Sequence, residues 1–271
     1  IIKEIIDMVK KRILVTGGAG YVGTALLPKL LEAGHEVTVF DNLMQGGNQL
    51  LSFFRNKNFH FVNGDVTIKK DVEAAVKDKD IIIHLAAIVG FPACKNNPEL
   101  ATNVNVGGTR NIIETTTPEQ VILYGSTGSN YGKVTDVCTE ESPLRDGYLV
   151  VYEKHFMRTF IHVSDMANAF MLAVNNADTM VDNVYNIGDD SMNYSKEAVC
   201  RLVADKTNGF IHFEEIGEDA DKRNYIVSYD KIKALGFKTE VTIEEGIDEI
   251  IKALNVADFV NPYVNIKRGL G

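Results

Sequence analysis

A parallel, doubly wound α/β sheet followed by a smaller lobe is the fold class this sequence predicts. Three observations predict it. Short runs rich in Val and Ile alternate with helix-length segments through the first half of the chain. Each run is apolar throughout rather than at every second position, as strands covered on both faces require. A glycine-rich turn joins the first run to the first helical segment, which is where such sheets receive a nucleotide.

Taken in order, RILVTGG (12–18) is the first strand and 21–33 the first helix. Gly34 stops that helix, since glycine alone takes the left-handed stop without a steric cost. HEVTVFD (35–41) is the second strand, with a helical segment near 47–56. FHFVNGD (59–65) is the third, leading to helix 69–77 with Asp71 near its start. DIIIHLAA (80–87) and QVILYGS (120–126) are the fourth and fifth, separated by helix 99–114. In the second half, FIHVSDMANAFMLAVNN (160–176) and SKEAVCRLVADKTNG (195–209) read as helices with lead-in strands. YNIG (185–188) reads as a strand end. TIEEGIDEIIKAL (242–254) is a closing amphipathic helix, and Thr242 with Glu245 three places later forms a capping box. Residues 12–145 are expected to form the sheet domain and 146–260 most of the smaller lobe.

Composition narrows the function classes. The chain has 271 residues, 45% of them hydrophobic, enough for a full-sized core. No apolar run approaches the ~20 residues that cross a bilayer, so no membrane partner is expected. IIKEIIDMVKKR at the start carries charges within its apolar stretch. That pattern suits a short surface helix rather than a secretory signal, and a cytoplasmic location is expected. The three cysteines, Cys94, Cys138 and Cys200, show no C-x-x-C spacing, so neither a metal site nor a disulfide framework is expected. A net charge of −9 without a basic run excludes nucleic acid as a partner, because phosphate neutralisation needs clustered Lys and Arg.

VTGGAGYVG carries the chemistry of the first half. Gly18, Gly20 and Gly23 satisfy G-x-G-x-x-G, and Thr16, Gly17, Gly20 and Gly23 satisfy T-G-x-x-G-x-x-G. Either spacing lets the backbone turn tightly beside a pyrophosphate at a helix N-terminus. Asp41 closes the second strand, 21 residues after Gly20. A carboxylate there accepts from the adenosine ribose hydroxyls and repels a 2′-phosphate. No Arg follows it in DNLMQ, so NAD is favoured over NADP. The bland alternative is a structural turn with a solvated aspartate.

With NGDV after the third strand, HLAA after the fourth and NVGGTRN in the next helix, the chain resembles the extended short-chain dehydrogenase/reductases. Within them it is similar to the NAD-dependent sugar-nucleotide epimerase/dehydratase branch, and the likeness runs on through RTFIHVSDMANAF and YNIG to LGF at 235–237. The resemblance implies a Rossmann-type fold and an enzyme that holds NAD. Gly17, Gly20, Tyr21, Val22 and Gly23 would bind the pyrophosphate, and Asp41 and Asn42 the adenosine ribose, with Leu43 after them in the cofactor set. Asp65 and Val66 would flank the adenine, and Leu85, Ala86 and Ala87 would line the nicotinamide-side ribose. Asn105 would brace the site from the helix behind, and Gly125 and Ser126 complete the cofactor set. Asp65 as a turn former and Asn105 as a buried amide stay open as structural readings.

The resemblance places the catalytic hydroxyl at Thr127, five positions before Gly132, with a loop-capping hydroxyl as the structural alternative. The acid pair that dehydratases carry next is replaced by Gly128 and Ser129, neither able to shuttle a proton. The expected Tyr-x-x-x-Lys pair is missing: Tyr148 is followed four places on by Tyr152, and Lys154 is preceded by Val150. On a helix that spacing sets the ammonium beside the phenol and favours the phenolate. ESPLR and DGYLVVYEKHF look joined near Arg145–Asp146, across an interval where the family has roughly 50 residues of strand and helix. Either a segment is missing from this sequence, with a wide Cα gap there, or a deletion has left a cofactor-binding relic. The first is favoured, because excising a central strand leaves backbone unpaired.

Arg158 and Arg223 match the family's clamps on a nucleotide diphosphate, a task suited to the planar guanidinium fork. A surface ion pair is the alternative for each. Asp165 reads as an N-cap, and His84 and His162 as structural. The expected activity is a nucleotide-sugar 4-epimerase working through a transient 4-keto sugar, on a nucleotide-diphosphate sugar. A one-way 4-dehydrogenase of GDP-heptose type and a catalytically inactive NAD-binding regulator are the alternatives. The resemblance also implies a homodimer.

Overall fold

The computed structural model describes residues 10–127, 133–138, 153–207 and 224–256. The Arg145–Asp146 seam, Tyr148, Tyr152, Gly128, Ser129, Gly132 and Arg223 lie outside them.

Five parallel strands form one sheet: β1 (Arg12–Thr16), β2 (Glu36–Asp41), β3 (Phe59–Asn63), β4 (Ile81–His84) and β5 (Val121–Tyr124), in the order β3-β2-β1-β4-β5. The side-chain period of two sorts the residues of the central strands between two cores. Ile13, Val15, Val37, Val39, Ile81 and Ile83 pack on one face against Leu26, Leu27 and Leu30 of α1 (Tyr21–Glu32). Leu14, Phe40 and Ile82 pack on the other, against Val72, Ala75 and Val76 of α2 (Lys69–Val76) and against Val104 and Ile112. Each of these large side chains contributes about 2 kcal/mol by leaving water, so no residue of β1 beyond Arg12 can turn outward without loss.

Gly34 sits at φ +84° and its amide donates to Leu31 O, ending α1 as expected. Between β4 and β5, α3 (Phe91–Asn96), which was not anticipated, precedes α4 (Pro98–Thr102), a π-helical turn at Asn103–Gly108 and α5 (Thr109–Thr115). One continuous helix over 99–114 was expected. The wider turn coincides with Gly107 and Gly108, residues that hold the α geometry weakly. The segment expected as a helix near 47–56 is a 3-10 helix, Asn48–Arg55.

The described chain divides into two compact units, one of residues 10–125 and 167–181, the other of residues 126–127, 133–138, 153–166, 182–207 and 224–256. The second holds β6 (Lys133–Cys138), β7 (Met157–Thr159), β8 (Asn193–Ser195), α8 (Lys196–Thr207), β9 (Asn224–Val227), α9 (Asp230–Lys233) and α10 (Ile243–Val256). Helix α6 (Val163–Asn175) starts in the second unit and passes into the first, where α7 (Ala177–Met180) follows. The lead-in strands are present: β7 and β8 pair antiparallel, and each stands just before its helix. YNIG is not a strand. Gly188 within it takes φ +157° beneath the Tyr229 ring, a placement that any Cβ would block at 2.7 Å.

The capping box at α10 forms as expected, with Glu245 Oε2 accepting from Thr242 N at 2.8 Å and Glu245 N donating to Thr242 Oγ1 at 3.2 Å. Asp165 is not an N-cap. It is fully buried in the first turn of α6, and its two oxygens accept from Glu240 N (3.0 Å) and Val241 N (3.1 Å). A remote segment is thereby tied down by one carboxylate. Removing the carboxylate strands two amides, so Asp165→Ala is expected to lower the unfolding free energy by about 3 kcal/mol, with Asp165→Asn losing about half as much. Urea denaturation measures both.

Candidate functional site

Strand registers align the carboxyl ends in one row: Thr16 pairs with Phe40 on one side and His84 on the other, and His84 pairs with Tyr124. The chain reverses winding direction between β1 and β4, so the loops leaving these two strands part and open a crevice.

The glycine turn fills its side of the crevice with backbone. Gly17, at φ +66°, lies so close to the β4 loop that a Cβ would stand 2.7 Å from Ala86 N and Cα. A Cβ on Gly23 would come within 2.4 Å of Gly18 O, so the helix can start this near the turn only with glycine there. Gly20 caps α1 without a side-chain hydrogen bond, which leaves the first-turn amides of Tyr21, Val22 and Gly23 as helix-end donors beside the crevice. Asp41 clasps the turn. Its Oδ2 accepts from Ala19 N at 3.0 Å and its Oδ1 from Leu43 N at 2.8 Å. Leu43 takes a left-handed φ of 57°, a strained state for a side chain of this size. Gln49, not singled out in the sequence, donates to Ala19 O at 2.5 Å and Gly46 O at 3.1 Å.

Asn42 and Asp65 meet, with Nδ2 donating to Oδ2 at 3.0 Å, while Thr67 N and Oγ1 donate to Asp65 Oδ1 at 2.8 and 2.7 Å. Partial burial pushes the Asp65 carboxyl up, but the bonds from Thr67 and Asn42 outweigh it and hold the group below its ordinary range. Asp65 therefore stays an ionised acceptor, and it also initiates the turn through Thr67. Val66 is buried in the second core.

On the β4 side, Leu85 and Ala86 are half-buried and Ala87 is exposed. Thr16 Oγ1 accepts from Leu85 N and from Ala86 N, both at 3.2 Å, and lies 2.7 Å from His84 Nδ1. His84 Nε2 lies 3.1 Å from Thr109 Oγ1, which donates to Asn105 O at 2.6 Å. Asn105 projects from the π-helical turn and clamps the loop end, accepting from Ile88 N at 2.8 Å and donating to Ile88 O at 2.9 Å. Gly125 ends β5, its amide donating to His84 O at 3.3 Å. Ser126 and Thr127 follow it in sequence, both exposed. In the second unit, Arg158 on β7 donates from Nη1 to Met157 O and stands 6.0 Å over the Tyr225 ring. Thr109 and Gln49 were not singled out in the sequence, and Thr16 was named there without a role in holding the β4 loop. Its signal was its place as the first letter of the T-G motif.

A dinucleotide fits this crevice. The close-packed glycines leave room where side chains would stand, the helix-end amides suit a diphosphate, and two acidic acceptors suit a ribose and an amine. Among the described residues no cluster of His, Cys, Asp or Glu could hold a metal ion, and no helix is long and apolar enough to cross a membrane.

These features define a dinucleotide-binding α/β class. The sequence pattern described as "NAD dependent epimerase/dehydratase family" matches residues 13–155, more than half of the chain, and the chain belongs to that family. A UDP-N-acetyl-alpha-D-glucosaminuronate decarboxylase of Bacillus cytotoxicus is 32% identical over 133 residues, 49% of this chain and 41% of that relative, so the chain spans less than half of its length. A putative UDP-glucose 4-epimerase of Methanocaldococcus jannaschii is 23% identical over 313 residues, covering 88% of this chain and 97% of the relative. Those 313 aligned positions exceed the 271 residues of this chain, so the relative carries residues without a counterpart here. The solved structure of the Thermus thermophilus UDP-glucose 4-epimerase, a complex with NAD, superposes with a TM-score of 0.73 at 23% identity, over 91% of this chain and 100% of that one.

His84 supplies a pH prediction. Burial lowers its pKa from 6.5 to about 4. A neutral ring favoured by folding contributes fully above the unfolded value and is lost as pH falls through the window from 6.5 toward 4, at roughly 3 kcal/mol in all. An NMR titration should place the imidazole midpoint about 4. A midpoint near 6.5 would show a ring open to water.

Proposed function

We propose that the protein binds NAD across the carboxyl edge of the sheet and acts in the manner of a nucleotide-sugar 4-epimerase. One observation carries the proposal. The glycine turn, its helix-end amides and the Asp41 carboxylate are held together, by Asp41 itself, at the point where the sheet reverses direction. Tyr21 and Val22 amides would bind the diphosphate, and Asp41 would accept from the adenosine ribose while excluding a 2′-phosphate. Asn42 and Leu43 would flank that ribose, and Asp65 would face the adenine amine. Leu85, Ala86 and Ala87 would line the second ribose, with Gly125 and Ser126 completing the wall. Bound NAD takes up and returns a hydride. Thr127 would hold the sugar oxygen that becomes a carbonyl, and Arg158 and Arg223 would clamp the diphosphate of the substrate, in a homodimer.

The absent Tyr-x-x-x-Lys pair favours a second reading, an NAD-binding protein without turnover. Calorimetry tests the cofactor first. NAD is expected to bind at least about tenfold more tightly than NADP, and Asp41→Ala to weaken NAD by about tenfold and erase the preference. Incubation with UDP- and GDP-linked sugars then separates the activities. Epimerisation leaves no net NADH, one-way 4-dehydrogenation accumulates it, and binding with neither outcome assigns the non-catalytic reading. Failure to take up NAD overturns the proposal.

A further inference from the structure

We propose that His84, the buried histidine at the end of β4, is a positioning residue: its neutral ring, protonated on Nε2, links the π-helical turn to the backbone strip Leu85–Ile88 that would line the nicotinamide side of the cofactor. The inference rests on the NAD reading above and deepens it.

Counting hydrogens settles the polarity of the chain. Thr16 Oγ1 already accepts from two amides, Leu85 N and Ala86 N. A hydroxyl has one hydrogen and two acceptor sites, so at 2.7 Å from His84 Nδ1 it must donate there. Nδ1 is then the acceptor, and Nε2 carries the ring hydrogen. Thr109 Oγ1 gives its own hydrogen to Asn105 O at 2.6 Å, which leaves it free to accept from Nε2 at 3.1 Å. Leu85 N also reaches Thr16 O at 3.1 Å, but the Thr109 end fixes the polarity: its one hydrogen is spent on Asn105 O, so the ring hydrogen sits on Nε2.

The chain also closes on itself. Asn105 gives its backbone carbonyl to Thr109 and its side-chain amide to Ile88, at the far end of the strip. Leu85 and Ala86 are fixed at the near end by Thr16. The strip is thus pinned at both ends, and the His84 side chain joins the two pins. The ring is 1% exposed and stacks on Tyr124, with centroids 5.7 Å apart, so no water can take over either bond. A ring turned to the other tautomer would set a hydrogen against the Thr16 hydroxyl and leave Nε2 without a hydrogen for Thr109.

Thr109→Val keeps the shape but removes the acceptor for Nε2–H and the donor to Asn105. Calorimetry with NAD and with ADP, which lacks the nicotinamide half, should find NAD weakened by about tenfold and ADP changed by less than about twofold. Thr109→Ser, which restores the hydroxyl, should bind NAD as the unsubstituted protein does. Independently of either variant, 15N spectra of the imidazole at neutral pH should report the Nε2–H tautomer. Unchanged NAD affinity in Thr109→Val, parallel loss of NAD and ADP, failure of Thr109→Ser to rescue, or an Nδ1–H ring would each overturn the proposal. An unsubstituted protein that binds ADP but not NAD, or neither, overturns the cofactor reading instead and takes this inference with it.

Discussion

Backbone meets backbone at Gly17 and Ala86, and the site depends on that contact. Two loops leave adjacent strands in different directions, yet at their origin they lie closer than any side chain allows. Parallel strands buried on both faces leave polar groups nowhere to go but the strand ends. The contact decides which of those ends face each other. With a Cβ at residue 17 the β4 loop would have to move, and the amides of Leu85 and Ala86 would leave the Thr16 hydroxyl. The same movement would part the glycine turn from the strip opposite.

Around this contact the protein uses charge sparingly. Asp41 spends both oxygens on holding the turn and its own loop, and Asp65 is ionised because Thr67 and Asn42 donate to it. Their remaining lone pairs are what a ligand could use. On the β4 side, neutral groups do the holding: two threonines, a histidine and an asparagine amide. Ionised acceptors and uncharged groups therefore stand side by side along one sheet edge, and it is the helix-end amides of the glycine turn, not the carboxylates, that suit an anion.

Much of this was legible in the sequence, for reasons that can be named. The five strands announced themselves because burial on both faces forces continuous Val and Ile. The glycine turn and Asp41 were visible because their spacing is set by covalent geometry. Each expected strand nevertheless ran past the observed one at its carboxyl end, except the second; 80–87 against Ile81–His84 is the plainest case. Those extra residues continue the strand's composition but fold into the loops that build the site. The π-helical turn was hidden because an inserted residue leaves the apolar pattern of a helix nearly intact. Asp165 was misread because a local cap and a long-range tether use the same carboxylate, and only the fold brings Glu240 and Val241 to it. Thr109 and Gln49 were not singled out, since the partners that tie them to the site, His84 and Ala19, lie 25 and 30 residues away.

Leu43 shows what such a framework implies for association. Its left-handed backbone is held by the Asp41 carboxylate within the protein itself, so the loop beside Asp41 takes this shape without a ligand. Little ordering would remain to be done on arrival of a guest. Binding of this kind should proceed quickly and with a modest entropic penalty, the behaviour of a rigid receptor and not of a closing flap.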